Sequence, residues 1–279
     1  MRKQPQRRCS GDPRLWLWIS CYKSADNGVS WTGIQNVPSV AFGGRISVSG
    51  GNPNNFVWLM ENGSIWYTMD AGATWTAAMG APTVFIGQYS FGLVPLASDR
   101  RLSNVHYLVN IDASGNTLIW RTSDGGANWA QVGSIPVTVG SPINYGVACD
   151  PLVANKVWVD LSTGQGVYKS TNGGATWTKV GALVGQGLIA FGKPAPGRTN
   201  SSVVFFGDVN GSGDRRVFVS PDDGATWLPF PKFSFPTVYD FPPCLGADRQ
   251  TYGRAYIGTY GRGLFVGDLQ PPPAPPRLR

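Results

Sequence analysis

The sequence predicts an all-β chain that folds as a β-propeller, and three observations support this prediction. An eight-residue pattern, S/T-x-D/N-x-G-x-S/T/N-W, occurs five times, with closing tryptophans 44, 54, 48 and 50 residues apart. A short motif returning at such a period indicates a repeat architecture. Turn residues separate short apolar runs within each period, and only 14% of the 279 residues are charged while 37 are glycine. Four strands per period correspond to one propeller blade.

The eight-residue pattern, which we call the octet, predicts a turn between two strands. Its acidic or amide side chain can accept backbone hydrogen bonds, as in an Asx-turn, and its glycine tolerates a positive φ. Its tryptophan is expected to fill the space beneath the turn. We therefore predict a structural role for these side chains, not metal or acid–base sites. The residues concerned are Asp26 and Trp31, Asp70 and Trp75, Asp124 and Trp129, Asn172 and Trp177, and Asp222 and Trp227.

The repeats divide the chain into three parts. Residues 1–14 are basic and irregular, and we expect a disordered tail. Residues 15–268 predict a propeller of four full blades and two partial ones, which suits an incomplete seven-bladed ring. Residues 269–279 are rich in proline and predict an extended tail or linker. The predicted blades are 15–37 (partial), 43–79, 88–133, 145–181, 187–230 and 243–268 (partial).

Each full blade repeats the same order of strands and turns. A strand leads through a turn of glycine, asparagine or proline to a second strand, and a hairpin turn leads to a third. The turn ENGS at residues 61–64 is of the Asn-Gly kind, which is the strongest short-range hairpin signal. The octet follows the third strand, and a fourth strand follows its tryptophan.

The positive charge and the cysteines suggest no further function. Of the 23 basic and 16 acidic residues, seven basic and one acidic lie in residues 1–14 and 270–279, which leaves 16 and 15 in the body. We therefore expect no nucleic-acid-binding surface. The four cysteines form no CxxC, and they could be buried thiols or make one or two disulfides. The apolar run at residues 15–19 is too short for a signal peptide or a membrane span. We predict no metal and no cofactor, since His106 is the only histidine.

Two segments carry a resemblance to a known family. The segments AFGKPAPG at residues 190–197 and YGRAYIGTYGRGLFVGD at residues 252–268 resemble the carboxy-terminal propeller of glycoside hydrolase family 74. Residues 44–49 and the Asp150-Pro151 pair are placed as in that family, and the octet is similar to the Asp-box, or BNR repeat, of sialidases and related propellers. The resemblance covers roughly residues 20–268.

The resemblance implies a secreted, carbohydrate-active protein. Family 74 comprises xyloglucan-active endo-β-1,4-glucanases and reducing-end-specific cellobiohydrolases of plant cell-wall degradation, in which two seven-bladed propellers face each other across a glucan cleft. The implied mechanism is inverting and needs one aspartate from each propeller, one as acid and one as base. The implied partners are β-glucan or xyloglucan and an amino-terminal propeller, without nucleic acid or membrane.

Neither catalytic aspartate of the family has a matching position in this sequence. Asp12 precedes the first octet, but its surroundings, Gly11-Asp12-Pro13-Arg14, do not match the family pattern. We therefore expect a fragment or degenerate copy that binds glucan without cutting it. The alternative is a non-catalytic propeller that serves as a protein-interaction or assembly platform, as in sortilin-like and photosystem-assembly propellers.

The candidate substrate-binding residues follow from propeller geometry. Ligand contacts in propellers come from the turns between second and third strands and from the loops between blades. Aromatic rings there can stack on glucose rings, while carboxylates and guanidinium groups can bind the hydroxyls. The hairpin turns supply Asp208, Asp214, Tyr260 and Arg262, and the blade-linking loops supply Tyr89, Phe91, Tyr145 and Tyr239.

Overall fold

The predicted all-β fold is confirmed by a computed structural model. The structure describes residues 21–34, 36–38, 44–84, 93–140, 145–161, 164–231, 244–259 and 263–269. Every regular element within these ranges is a β-strand, and the strands form six antiparallel sheets. We number the sheets in chain order.

Four of the six sheets have four strands each. The first sheet contains β1 (Tyr22–Lys23) and β2 (Thr32–Gly33). The second contains β3 (Gly44–Val48), β4 (Phe56–Met60), β5 (Ile65–Thr68) and β6 (Thr76–Ala77). The third contains β7 (Leu96–Ser98), β8 (His106–Ile111), β9 (Asn116–Thr122) and β10 (Ala130–Thr138). The fourth contains β11 (Tyr145–Cys149), β12 (Val157–Leu161), β13 (Gly166–Ser170) and β14 (Thr178–Lys179). The fifth contains β15 (Leu183–Gly192), β16 (Ser202–Val209), β17 (Arg216–Ser220) and β18 (Leu228–Pro229), and the sixth contains β19 (Cys244–Ala247), β20 (Arg254–Gly258) and β21 (Leu264–Asp268).

Each sheet is a meander in which every strand pairs with its neighbour in sequence. The second strand of a full sheet is covered on both faces: all five residues of β4 and of β12 are buried. Strands buried on both faces are continuous apolar runs without alternation, as in FVWLM and VWVDL. The fourth strands β6, β14 and β18 are short and exposed, so burial decreases from the second to the fourth strand of these sheets.

The apolar core lies between consecutive sheets. One cluster joins the second, third and fourth sheets, a second joins the fourth and fifth, and a third joins the fifth and sixth. Trp158 and Phe191 meet edge to face across the second of these clusters, with ring centroids 6.2 Å apart, a favoured geometry for aromatic pairs. Consecutive sheets therefore pack face to face, as propeller blades do.

The octets form closed turns, between β1 and β2 in the first sheet and after the third strand in the second to fifth sheets. In the octet of the fifth sheet, Asp222 Oδ1 accepts from the N–H of Thr226 at 2.8 Å, and Oδ2 accepts from its hydroxyl at 2.7 Å. The Ser220 hydroxyl donates to Asp222 and accepts from the N–H of Gly224. Two consecutive left-handed residues make the bend, Asp223 with φ 61° and Gly224 with φ 89°. The sequence indicated the second of these positions but not the first.

The expectation that every octet tryptophan is buried is wrong for the first octet. Trp75 packs on Trp58 and Trp227 on Phe205, both on the second strand of their own sheet, with ring centroids 5.6 and 5.5 Å apart. Within the described residues the first sheet consists of β1 and β2 alone. Among these residues no further strand of the first sheet covers the ring of Trp31, which is 62% exposed.

Candidate functional site

The hairpin of β16 and β17 contains two of the predicted substrate-binding residues, Asp208 near the end of β16 and Asp214 in the turn. Asp208 is 6% exposed, and its carboxylate accepts from the N–H and hydroxyl of Ser212 at 2.9 and 2.7 Å and from the N–H of Gly213 at 2.7 Å. Partial desolvation raises the pKa of Asp208, but the hydrogen bonds from Ser212 and Gly213 together lower it by more, so the net pKa shift is downward. Asp208 therefore holds the turn closed and keeps its charge at mildly acidic pH.

Asp214 ends the same turn and forms an ion pair with Arg216. The two side chains are 32% and 23% exposed, and the N–H of Asp214 donates to the hydroxyl of Ser212 at 3.2 Å. The turn thus brings a carboxylate and a guanidinium to the surface on a fixed backbone. Charged groups of this kind form stronger hydrogen bonds to hydroxyls than neutral groups do.

Tyr145 is not on an exposed loop, as the sequence had suggested. It is the first residue of β11, pairs in register with Leu161, and is 4% exposed within the core. Burial raises the pKa of its hydroxyl. The apolar surroundings explain the difference, because a ring at the inner end of a blade packs against the neighbouring sheets. The predicted residues Tyr89, Phe91, Tyr239, Tyr260 and Arg262 lie outside the described residues.

The hairpin turn of the third sheet has the same chemistry as that of the fifth. Asp112 Oδ1 accepts from the N–H of Ser114 at 2.8 Å and of Asn116 at 2.9 Å, and the Asn116 amide donates to Oδ2 at 2.9 Å. The side-chain and backbone groups of Asn116, in that order, lower the pKa of Asp112. Acidic residues in these turns therefore bind their own backbone, and Asp214 is the turn carboxylate that pairs with a neighbouring cation instead.

A buried charged cluster joins the fourth and fifth sheets, and the sequence analysis missed it. Lys156 Nζ lies 3.1 Å from Asp150 Oδ2 and 2.6 Å from Asp223 Oδ1, with the side chains of Lys156 and Asp150 only 7% and 0% exposed. Asp150 Oδ1 also accepts from the hydroxyl of Ser201 at 2.6 Å. Lys169 Nζ reaches Asp223 at 3.0 Å. Each charge has a partner, so the cluster fastens one blade to the next.

His106 is buried between the second and third sheets with neutral partners. Its Nε2 lies 2.9 Å from Asn55 Oδ1 and its Nδ1 lies 3.1 Å from the Ser47 hydroxyl. The Asn55 amide nitrogen donates to the carbonyls of Thr68 and Gly125, which fixes its oxygen toward His106. The ring is therefore neutral, with its proton on Nε2, and burial lowers its pKa to about 3.

Neither a metal centre nor a membrane span is present in the described part of the chain. Its histidine, cysteine, aspartate and glutamate side chains form no group of three that could hold a metal ion. The same residues include no helix long and apolar enough to cross a bilayer.

Comparison with known proteins relates this fold to an enzyme family. A xyloglucanase of Paenibacillus sp is 27% identical over 252 residues, which cover 88% of this chain and 22% of that protein. The xyloglucanase Xgh74A of Acetivibrio thermocellus is 29% identical over 263 residues, covering 91% of this chain and 28% of that protein. The solved structure of the GH74 xyloglucanase from Xanthomonas campestris superposes with a TM-score of 0.70 at 27% identity, covering 89% of this chain and 33% of that one. No protein-family model matches the chain.

The resemblance to glycoside hydrolase family 74 is confirmed. The chain spans between a fifth and a third of the family 74 proteins that it matches. The two segments that carry the resemblance in the sequence meet at the junction of the fifth and sixth sheets. The N–H of Lys193 donates to the Asp248 carbonyl at 2.8 Å, and the Tyr256 hydroxyl donates to the Asp248 carboxylate at 2.6 Å. These family 74 segments thus build one blade junction.

Proposed function

We propose that this chain is the xyloglucan-binding portion of a family 74 glycoside hydrolase and that it does not cleave the polysaccharide by itself. The observation that carries the proposal is its similarity to proteins named xyloglucanases over about nine-tenths of its length. On this proposal the protein is secreted, its substrate is a plant cell-wall β-1,4-glucan, and its partner is an amino-terminal propeller.

The environment of the described carboxylates supports the absence of cleavage. Inverting hydrolysis needs a protonated acid and a free carboxylate about 6.5–9.5 Å apart. Asp112 and Asp208 hold their own turns, and the pKa of each is lowered, which disfavours the acid role. Asp150 is fully buried against Lys156. The greater part of the matched relatives has no counterpart in this sequence, and we propose that the missing carboxylates belong there.

The proposed glucan surface includes the turn between the second and third strands of the fifth sheet. Its described charged members include the exposed Arg215 and the partly exposed ion pair of Asp214 and Arg216. They would bind sugar hydroxyls, while aromatic rings would stack on the apolar faces of the glucose units. The predicted members of this surface in the remaining turns and loops are Tyr89, Phe91, Tyr239, Tyr260 and Arg262.

A hydrolysis assay tests the catalytic half of the proposal. Purified chain is incubated with xyloglucan, and released reducing ends are measured against a heat-treated sample. We expect no release above that background. Sustained turnover that scales with protein concentration would contradict the proposal, since it would require a catalytic pair within this chain.

Paired variants test the proposed surface. The double variant Asp214→Asn with Arg216→Gln removes both charges at nearly constant shape and should weaken xyloglucan retention in an affinity gel. The control is the double variant Asp268→Asn with Arg254→Gln. It removes an exposed ion pair, with N and O 2.7 Å apart, at the open end of the hairpin of β20 and β21, far along the strands from its turn. Equal retention of both double variants would reject the turn as a contact surface.

A further inference from the structure

The lysine directly before the first octet and the lysine directly before the fourth each reach the octet of the next sheet. Lys23 Nζ donates to the Ala71 carbonyl in the second octet at 2.6 Å. Lys169 Nζ donates to the Asp223 carbonyl at 2.9 Å and contacts its carboxylate at 3.0 Å. Arg121 occupies the same position, directly before the third octet. By this pattern its target is the fourth octet, at residue 173.

Arg121 and Lys169 have matching positions on their sheets. Arg121 pairs in register with Tyr107 and lies over its ring at 5.9 Å, and Lys169 pairs with Trp158 and lies over its ring at 5.6 Å. Both cations are therefore held on an aromatic face of the second strand, with the charge directed toward the next octet. Lys169 has an acidic partner there, Asp223, whereas Lys23 meets only the carbonyl of Ala71 at the same octet position.

Asp223, the acidic partner of Lys169, has no acidic equivalent in the octet that Arg121 faces. The octet position filled by Asp223 is Gly173 in the fourth octet, and the acid found in the other four octets is Asn172 there. Among the described residues Arg121 has no ion pair; its guanidinium hydrogen-bonds the Tyr107 hydroxyl, and its Nε is buried without a hydrogen-bond partner. Lys169 is paired with the carboxylate of Asp223, whereas Arg121 at the equivalent position faces an octet without a charged residue.

A cavity occupies the space beside Arg121. It is a depression that is largely open to solvent, with a volume of about 440 Å³. Arg121 is its one charged lining residue, and Asn155 and Thr171 contribute an amide and a hydroxyl. The remaining lining residues are Val132, Ala154, Asn172, Gly173 and Ala175. The cavity therefore combines a positive charge with polar and small apolar groups.

We propose that this cavity binds the carboxylate of a small acidic molecule of hexuronate size. The ligand carboxylate takes the role that Asp223 has opposite Lys169, and the planar guanidinium can donate two parallel hydrogen bonds to it. The amide and hydroxyl of the lining suit the hydroxyls of a sugar acid. This site lies on the octet side of the blades, away from the proposed glucan surface, and does not depend on the proposed function.

Calorimetric titration with glucuronate tests the site, with glucose as the neutral probe and acetate and inorganic phosphate as minimal anions. Two variants change the site in different ways. Arg121→Gln removes the cation. Asn172→Asp restores the octet acid, which the other four octets tolerate, and places a negative charge in the lining. Both should weaken glucuronate binding on the order of tenfold or more, while Arg101→Gln, which removes an exposed charge elsewhere, should not.

The outcomes separate the proposal from its competitors. Binding of glucuronate but not glucose, lost in both variants and kept in Arg101→Gln, supports the site. If Arg121→Gln does not fold, Asn172→Asp still decides. No binding of glucuronate, or equal binding in Asn172→Asp, would overturn the proposal. Acetate binding as tightly as glucuronate would reject the hexuronate size, and tighter binding of phosphate would reject the carboxylate.

Discussion

A single buried imidazole should make this protein less stable at pH 4.5 than at pH 7. His106 is the one histidine in the sequence, is fully buried, and contacts the neutral groups of Ser47 and Asn55. Protonation would place a charge where Nδ1 now accepts a hydrogen bond from a hydroxyl. The folded protein therefore resists protonation, and the unfolded chain does not.

The sign and size of the effect follow from proton linkage. Burial lowers the pKa of His106 to about 3 from an ordinary value of 6.5. Below pH 6.5 the unfolded chain binds a proton that the folded protein does not, so the free energy of unfolding falls by about 1.4 kcal/mol per pH unit. The loss reaches about 3 kcal/mol at pH 4.5 and ends near pH 3, where the folded protein also takes up the proton.

Urea unfolding at a series of pH values measures this loss. The control is His106→Gln, which keeps a side-chain donor but does not titrate. The described aspartates with shifted pKa values titrate below their ordinary value of 3.8, so they contribute little above pH 4.5. The wild-type protein should lose about 3 kcal/mol and the variant should lose little. A wild-type curve as flat as that of the variant would refute the reasoning.

Three further predictions concern the turns and the blade junctions, and urea unfolding at pH 7 measures each. Trp129→Ala should lower the free energy of unfolding by about 3–5 kcal/mol because the ring is 6% exposed. Trp31→Ala should lower it by less than about 1 kcal/mol, since that ring is 62% exposed. Equal losses would show that the octet rings do not differ in burial. Ala71→Gly should raise stability by up to about 1 kcal/mol, since alanine there has φ 59°, and a decrease would argue against that conformation. Lys156→Met should cost about 3–5 kcal/mol by leaving the buried Asp150 carboxylate without its cation, and a neutral result would mean that water or another cation reaches that carboxylate.

The sequence was most informative where one residue type satisfies a local requirement. The octet turn could be predicted because an acid, a glycine and a hydroxyl at fixed spacing allow few backbone paths. The left-handed position before the glycine was missed because no single residue type marks it. In the five octets that position is asparagine, alanine, glycine, glycine and aspartate. The exposure of Trp31 was missed because it depends on whether a second strand is present beneath the ring.

The site was harder to predict than the fold, because site residues depend on contacts between blades. Tyr145 and Asp208 were chosen as exposed residues from their places in the chain, but both are buried. The charged cluster around Lys156 joins Asp150 to Ser201, 51 positions away, and Lys156 to Asp223, 67 positions away. Comparison of the residues that precede each octet could have indicated only its Lys169 member, since Lys23 and Arg121 share that position.

Affinity electrophoresis in gels that contain xyloglucan tests the central claim most directly. Mobility of the purified chain is measured over a series of polysaccharide concentrations, with bovine serum albumin as a non-binding reference. We expect the mobility to fall as the xyloglucan concentration increases, which gives a dissociation constant, and we expect no release of reducing ends. Mobility that does not change with xyloglucan would contradict glucan binding and would favour a propeller that serves as a protein-interaction platform.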